Sequence, residues 1–314
     1  MQRSIPRQDA GNRFMPDEVT AKTGPSWRDF VEITKPGINK SNLLAAFAGY
    51  WMAAGLTELD VPVLLWTLLG TALVIAGGCT LNNLYDRDID PLMERTRDRT
   101  LVRGTIRPSV ALWYGIVLTV TGLTVLALGA NPLAALLGFM GFFVYVVVYT
   151  MWLKRTSVHN TLVGSFSGAV PPVIGWVAAE GTLGPEAWAL FLILFFWQPP
   201  HFFALAMRRV DDYRAAGIPM LPVVRGFQAT KKQTLAYTIL LFVSSLFLWW
   251  TGACGWIYLV AAVILGGLYV RLVLKGFRTG NDVEWANRLF FYSLIYLTVL
   301  FTVIIVDVTV RELL

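Results

Sequence analysis

The chain has 314 residues, 56% hydrophobic and only 15% charged, against the roughly 25% charged usual in a soluble domain. That balance excludes a water-soluble globular enzyme and points to the bilayer. The net charge of +6 is not a nucleic-acid signature either, because the basic residues collect in the turns on one side of a string of apolar runs.

Residues 1–35 are polar, with Gly11, Pro16, Gly24 and Pro25, and lack the apolar core of a secretory signal. Asp9, Asp17, Glu18, Asp29 and Glu32 are unlike an acid-poor transit peptide. This stretch is expected to be a cytoplasmic tail anchored at the interface by Trp27 and Phe30, with 36–314 forming one transmembrane domain. Nine apolar runs follow, at about 41–56, 61–82, 109–129, 132–152, 160–179, 186–207, 234–251, 254–274 and 286–306, each near the ~20 residues that span a bilayer core. Backbone groups in lipid must be satisfied internally, and the two-residue alternation of a barrel is absent. The expected fold is therefore all-α, a polytopic bundle of nine transmembrane helices around a central cavity. With the N-terminus in the cytoplasm, every Lys and Arg except Arg311 falls on the inner side, while Glu58, Asp60, Glu180 and Glu186 occupy outer turns. The C-terminus is then outside, in a bacterial cytoplasmic membrane. Cys79 and Cys254 belong to opposite ends, too far apart for a disulfide.

The first span opens on Asn39, Lys40, Ser41 and Asn42, which suit a cavity or rim better than lipid. The second closes on Asn82-Asn83-Leu84-Tyr85-Asp86-Arg87-Asp88-Ile89-Asp90, followed by Arg95, Arg97 and Arg99. If the helix continues through Asp90, then Asn82, Asp86 and Asp90 line one face at i, i+4 and i+8, and Asp88 points elsewhere. Carboxylates where a membrane helix meets water are costly to desolvate and rarely idle. The fourth span ends with Tyr145, Tyr149 and Trp152 before Lys154-Arg155. From position alone the two tyrosines fit an interfacial belt or a pocket wall equally. Pro171-Pro172 and Pro199-Pro200 break the fifth and sixth spans, a pattern tolerated where a helix lines protein or a wet cavity. A second acidic turn then carries Arg208, Asp211 and Asp212. An even number of spans separates the two turns, so both open on the same side, as in a parallel repeat of four helices. The last three spans read as scaffold with no buried ionisable group.

Two facing acidic turns could hold magnesium through hard oxygen ligands, with Asn82, Asp86, Asp90, Asp211 and Asp212 as candidates and a diphosphate between them. Arg95, Arg99 and Lys154 would neutralise the charge that develops as diphosphate leaves. An allylic chain so released is a carbocation. Tyr85, Tyr145, Tyr149, Trp197 and Phe202 are candidate walls, since a cation over a ring gains about 0.5–2 kcal/mol. Arginine-rich inner loops are also the ordinary consequence of topology, and their aspartates can be solvated partners. The spacing, the second turn and the proline breaks together favour the site.

Those residues carry a resemblance. Asn82-x3-Asp86-x3-Asp90 resembles the first aspartate motif of the UbiA-type intramembrane prenyltransferases, and the 211–212 turn their second. Tyr85 to Asp90 with Arg95-Thr96 and Arg99, Tyr149-Thr150 with Leu153 to Ser157, Gly168-Ala169-x-Pro171-Pro172, Trp197-Gln198-x-Pro200-His201-Phe202, and Asp212-Tyr213 with Ala216 to Val224 are more specific. They resemble the protohaem IX farnesyltransferase (haem O synthase) branch, over about 35 to 310. The resemblance implies transfer of a farnesyl group from farnesyl diphosphate to a vinyl group of haem B, with Mg²⁺ as cofactor and a haem A synthase as a possible neighbour. It implies metal–diphosphate binding by Asn82, Asp86, Asp90 and Asp212, with Asp211 as an alternative, and diphosphate contacts from Arg95, Arg99 and Lys154. Arg208 stands where the wider family has an aspartate, which suggests a direct phosphate contact, and Thr100 stands where proline is expected. His201, a helix-packing group on position alone, becomes a candidate haem-iron ligand. A different acceptor, a transporter or a haem-holding subunit are the rival readings.

Overall fold

The computed structural model describes residues 24–314. The expectations for residues 1–23 lie outside these. Twelve labels suffice for the helices: α1 Trp27–Ile33, α2 Pro36–Ala54, α3 Val61–Tyr85, α4 Pro108–Gly129, α5 Pro132–Thr156, α6 Asn160–Gly168, α7 Val170–Glu180, α8 Pro185–Arg208, α9 Val210–Ala215, α10 Leu221–Trp250, α11 Trp256–Lys275 and α12 Asp282–Leu313. The sequence marks many of the starts. Proline sits in the first turn of α2, α3, α4, α5, α8 and α10, where its missing N–H costs nothing. Asp60, Asn131 and Asn281 cap α3, α5 and α12, accepting from Val63, Ala134 and Glu284 amides at 3.0, 2.8 and 3.1 Å.

Eight helices among the described residues, rather than nine, are long and apolar enough to cross a membrane. The remaining expected span, 41–56, falls mostly on the 19-residue α2, which ends at Ala54 and whose first turns carry Asn39, Lys40, Ser41 and Asn42 and dilute its apolarity. The fifth span is two helices, α6 and α7, meeting at Ala169 beside Pro171 and Pro172. The seventh starts earlier than 234, because α10 runs from Leu221 through a break at Gly226 (φ 73°).

α7 and α8, which carry the two proline pairs, are the innermost: α7 packs on α2, and α8 lies between α6, α10 and α12. α12 returns to pack on α2, so the first and last long helices meet. The α2–α7 seam is made by small residues. A Cβ at Gly175 would stand 1.9 Å from the Ala46 carbonyl oxygen, and one at Gly49 2.0 Å from that of Pro172.

The last three spans do hold buried ionisable groups, contrary to expectation. Lys231 is buried against Asp282, with its ammonium over the Trp285 ring, and Asp307 is fully buried. Asp307 accepts from the Gly255 and Tyr258 amides, capping α11 from another helix. Arg311 donates to the Gly252 and Ala253 carbonyls, and Glu312 accepts from the Leu56 amide and the Thr57 hydroxyl. One end of α12 thus fastens two turns. Asp307→Ala strands buried amides and should cost about 1–3 kcal/mol. The check is a lower thermal midpoint in detergent, partly restored by Asn, which keeps one acceptor.

Candidate active site

The first acidic segment is not one continuous stripe. α3 ends at Tyr85 and the chain passes through two short 3₁₀ turns, Asp86–Asp88 and Asp90–Leu92, because Pro91 disfavours α geometry at Asp90. Asp86 and Asp90 nevertheless both turn inward, 0% and 1% exposed. Each is met by cations. Lys154 pairs with Asp86, and Arg99 holds both oxygens of Asp90 at 2.8 and 2.7 Å. Asn82 Nδ2 donates to Asp86 Oδ2 at 2.9 Å and to the Thr150 hydroxyl at 3.0 Å. Asp88 lies outside the cluster, held by Arg155 at 2.7 Å. Arg155 also covers the Tyr85 ring at 4.6 Å, while the Tyr85 hydroxyl donates to the Met151 carbonyl. Tyr85 is therefore locked at the rim and is not brought together with Tyr145 and Tyr149.

Lys35 is a member that sequence reasoning counted only as a topology charge. Its ammonium donates to Asn82 Oδ1, and it lines a cavity of about 160 Å³ with Arg99, Asn83 and Thr100. It is the single non-glycine residue at positive φ among the described residues (φ 53°, ψ 65°), directly before Pro36, a conformation that costs about 1–3 kcal/mol. Burial, reinforced by the nearby Arg99 charge, lowers its pKa to about 8. The usable signal was a lysine set immediately ahead of the proline that starts a span.

Residues Val144–Leu153 of α5 are π-helical, and Thr150 donates to the carbonyl of Tyr145 five residues back. Such wide turns recur at functional sites. Here the turn stacks Tyr145 on Tyr149 (centroids 6.0 Å, 12°) and sets Lys154 on Asp86. Tyr149 lies within electrostatic reach of Asp86, Arg95 and Tyr213.

The two acidic turns do meet. Asp212 Oδ1 accepts from the Glu94 amide at 3.4 Å, and Arg209 reaches Glu94 at 3.3 Å. Ile89 and Met93 from one turn pack with Ile218 and Met220 from the other. Tyr213, which the sequence offers only as part of a family block, lies within reach of Arg95 and Tyr149, and burial pushes its phenol up. Asp211 is turned away, exposed and paired with Arg214. No group of three Asp, Glu, His or Cys side chains among the described residues is assembled for a metal, since Lys154 and Arg99 already hold the carboxylates. The donor set still fits a hard cation. Asp86 Oδ1 and Asp212 Oδ2 are buried carboxylate oxygens with no hydrogen-bond partner, one from each turn.

A second layer belongs to α8 and α12. His201 is sandwiched between Trp197 (centroids 4.7 Å, 17°) and Phe290 (4.6 Å, 27°). Its Nδ1 lies 2.7 Å from the Ser293 hydroxyl, which itself donates to the Phe290 carbonyl at 2.6 Å. That hydroxyl has one proton, so Nδ1–H is the donor and Nε2 keeps its lone pair. Trp197 donates to the Ser293 carbonyl and belongs to this layer, apart from Tyr145 and Tyr149; Phe202 is 37% exposed. Arg208 is not beside Asp86 or Asp90 either. Its guanidinium stacks on Phe290 at 4.6 Å and Phe291 at 5.4 Å.

The model of the UbiA prenyltransferase family matches residues 42–295. The chain belongs to the UbiA prenyltransferase family. Similar curated proteins include a protoheme IX farnesyltransferase of Alkalihalophilus pseudofirmus, 50% identical over 285 residues and 90% of each chain. Protoheme IX farnesyltransferase 2 of Bacillus subtilis is 49% identical over 294 residues, 92% of this chain and 93% of the relative. Among solved structures, a digeranylgeranylglyceryl phosphate synthase superposes with a TM-score of 0.77 at 17% identity, covering 90% of this chain and 98% of that one. A UbiA homolog from Archaeoglobus fulgidus bound to GPP and Mg²⁺ gives 0.65 at 17% identity, covering 88% and 99%. This UbiA-family chain is an integral membrane prenyltransferase.

Proposed function

We propose that the protein transfers a farnesyl group from farnesyl diphosphate to a vinyl carbon of haem B, giving haem O. The observation that carries the acceptor is His201, held flat between two aromatic rings with its Nδ1 bonded to Ser293 and its Nε2 in no hydrogen bond among the described residues. A neutral imidazole of fixed tautomer is an ordinary haem ligand, and its orientation is set by the hydrogen bond at the other nitrogen.

The donor headgroup binds where Lys35, Arg99, Lys154 and Arg95 converge. These cations exchange their bonds with Asn82 and the carboxylates for bonds to phosphate oxygens. Asn82, Asp86, Asp90 and Asp212 are the residues that would hold magnesium. When bound, that ion neutralises charge building on the leaving diphosphate. Tyr145 and Tyr149 face the allylic cation and stabilise it by about 0.5–2 kcal/mol per ring. The packed turns limit water at the breaking C–O bond; one water later supplies the hydroxyl of the product. The basic turns support a cytoplasmic position for this end of the bundle and for the N-terminus.

Purified protein given haem B and farnesyl diphosphate should yield a porphyrin heavier by one farnesyl group and one hydroxyl, the water's other proton leaving with diphosphate, read by mass spectrometry. Prenylation of quinone precursors with haem left untouched would overturn the acceptor. His201→Ala should change the absorbance of bound haem; an unchanged spectrum with unchanged turnover would remove His201 from the site.

A further inference from the structure

Arg208 is the last residue of α8, seven positions after His201, which places it two turns farther along the same face, about 10 Å along the helix axis. It is partly buried, makes no ion pair among the described residues, and is followed along the chain by no acidic residue but a second cation, Arg209. Arg209 has Glu94, Arg99 has Asp90, Arg155 has Asp88 and Arg214 has Asp211. Arg208 is held instead by the faces of Phe290 and Phe291. Phe290 is also the ring that covers one face of His201. One aromatic side chain therefore positions both an imidazole with a free nitrogen and a guanidinium with no anion.

We infer that Arg208 is the acceptor's carboxylate-binding residue: His201 takes the metal centre and Arg208 pairs with an acidic side arm on the porphyrin edge. The inference rests on the haem reading above and assigns how the acceptor is oriented. An amphiphilic acceptor with one charged edge suits this arrangement. Its apolar body lies against Trp197 and Phe290, and its carboxylates face the end of the bundle where α8 stops. The flat, weakly hydrated guanidinium is suited to a bidentate carboxylate while resting on a ring. Fixing that edge fixes which vinyl group is presented to the allylic carbon, so Arg208 acts on regiochemistry through position and takes no part in bond breaking.

The test uses the full-length protein in detergent, titrated by Soret absorbance with haem B and with its dimethyl ester, which lacks the acid. Wild type should bind the free acid about tenfold more tightly than the diester, the scale of one charge-assisted hydrogen bond. Arg208→Gln should bind the two alike, with the His201-dependent Soret position unchanged, and Arg208→Lys should recover part of the preference. Equal binding of acid and ester by wild type, or a preference that survives in Arg208→Gln, overturns the inference and leaves the haem reading intact. A fall in thermal midpoint with the preference unaltered also overturns it, because Arg208 is then structural. Binding of neither compound by wild type overturns the haem reading and this inference with it.

Discussion

Asp86→Asn should lower turnover of farnesyl diphosphate by at least about 10²-fold, the scale for removing one group that stabilises developing charge. Asp86 is the centre of the cluster: Asn82, Lys154 and Arg155 all approach it, and its Oδ1 is a buried oxygen left without a hydrogen bond. The amide keeps the shape and removes the charge. Lys154 then lacks its carboxylate, and breaking one side of a buried pair is itself destabilising. The comparison therefore includes a size-exclusion profile and a calorimetric titration with inorganic diphosphate. A folded variant that keeps more than a tenth of wild-type turnover would take Asp86 out of the reaction. A protein that merely held haem would be indifferent to the change, so the same measurement separates catalysis from storage.

Gly175→Val should abolish recovery of folded protein. The α2 and α7 backbones approach so closely at Gly175 and Gly49 that even a methyl group overlaps a carbonyl oxygen. Overpacking a core usually costs about 1–3 kcal/mol through side-chain adjustment. Here the obstacle is main chain, so whole helices must separate. Small residues permit such contact in lipid, where association depends on close packing. Separation would move α2, and with it Lys35, away from Asn82. The measurement is the monodisperse fraction after detergent extraction, with Gly267→Val as a control where no neighbouring atom lies near. A well-folded Gly175→Val protein with normal Lys35-dependent diphosphate binding would refute the account.

The helical membrane fold was legible because lipid leaves the backbone few alternatives, and most helix starts are written as proline or an Asp/Asn cap. Asn82, Asp86, Asp90, Lys154 and Arg99 could be grouped in advance because spacing and the positive side of the turns place them at one end. What stayed hidden depends on tertiary geometry. The π-helical turn at Val144–Leu153 leaves no periodicity distinguishable from α, yet it sets the positions of Tyr149 and Lys154. Lys35 looked like one basic residue among many until the chain folded it onto Asn82. Asp307 and Lys231 were invisible as buried charges, because their partners lie on other helices or, for Asp307, on backbone amides. Register with a family motif points Arg208 at phosphate, whereas its side chain follows the aromatic face of α12.

The charged cluster draws all its members but Asp212 and Tyr213 from residues 35–155, and the imidazole layer draws its own from 197–293. On the proposed reading, leaving-group chemistry leans on the first half of the polypeptide, with Asp212 reaching in from the second, and acceptor choice leans on the second. Substitutions along α8 and α12 can retune what is alkylated while the machinery that releases the electrophile stays untouched, so a lineage can exchange one acceptor for another without reinventing ionisation.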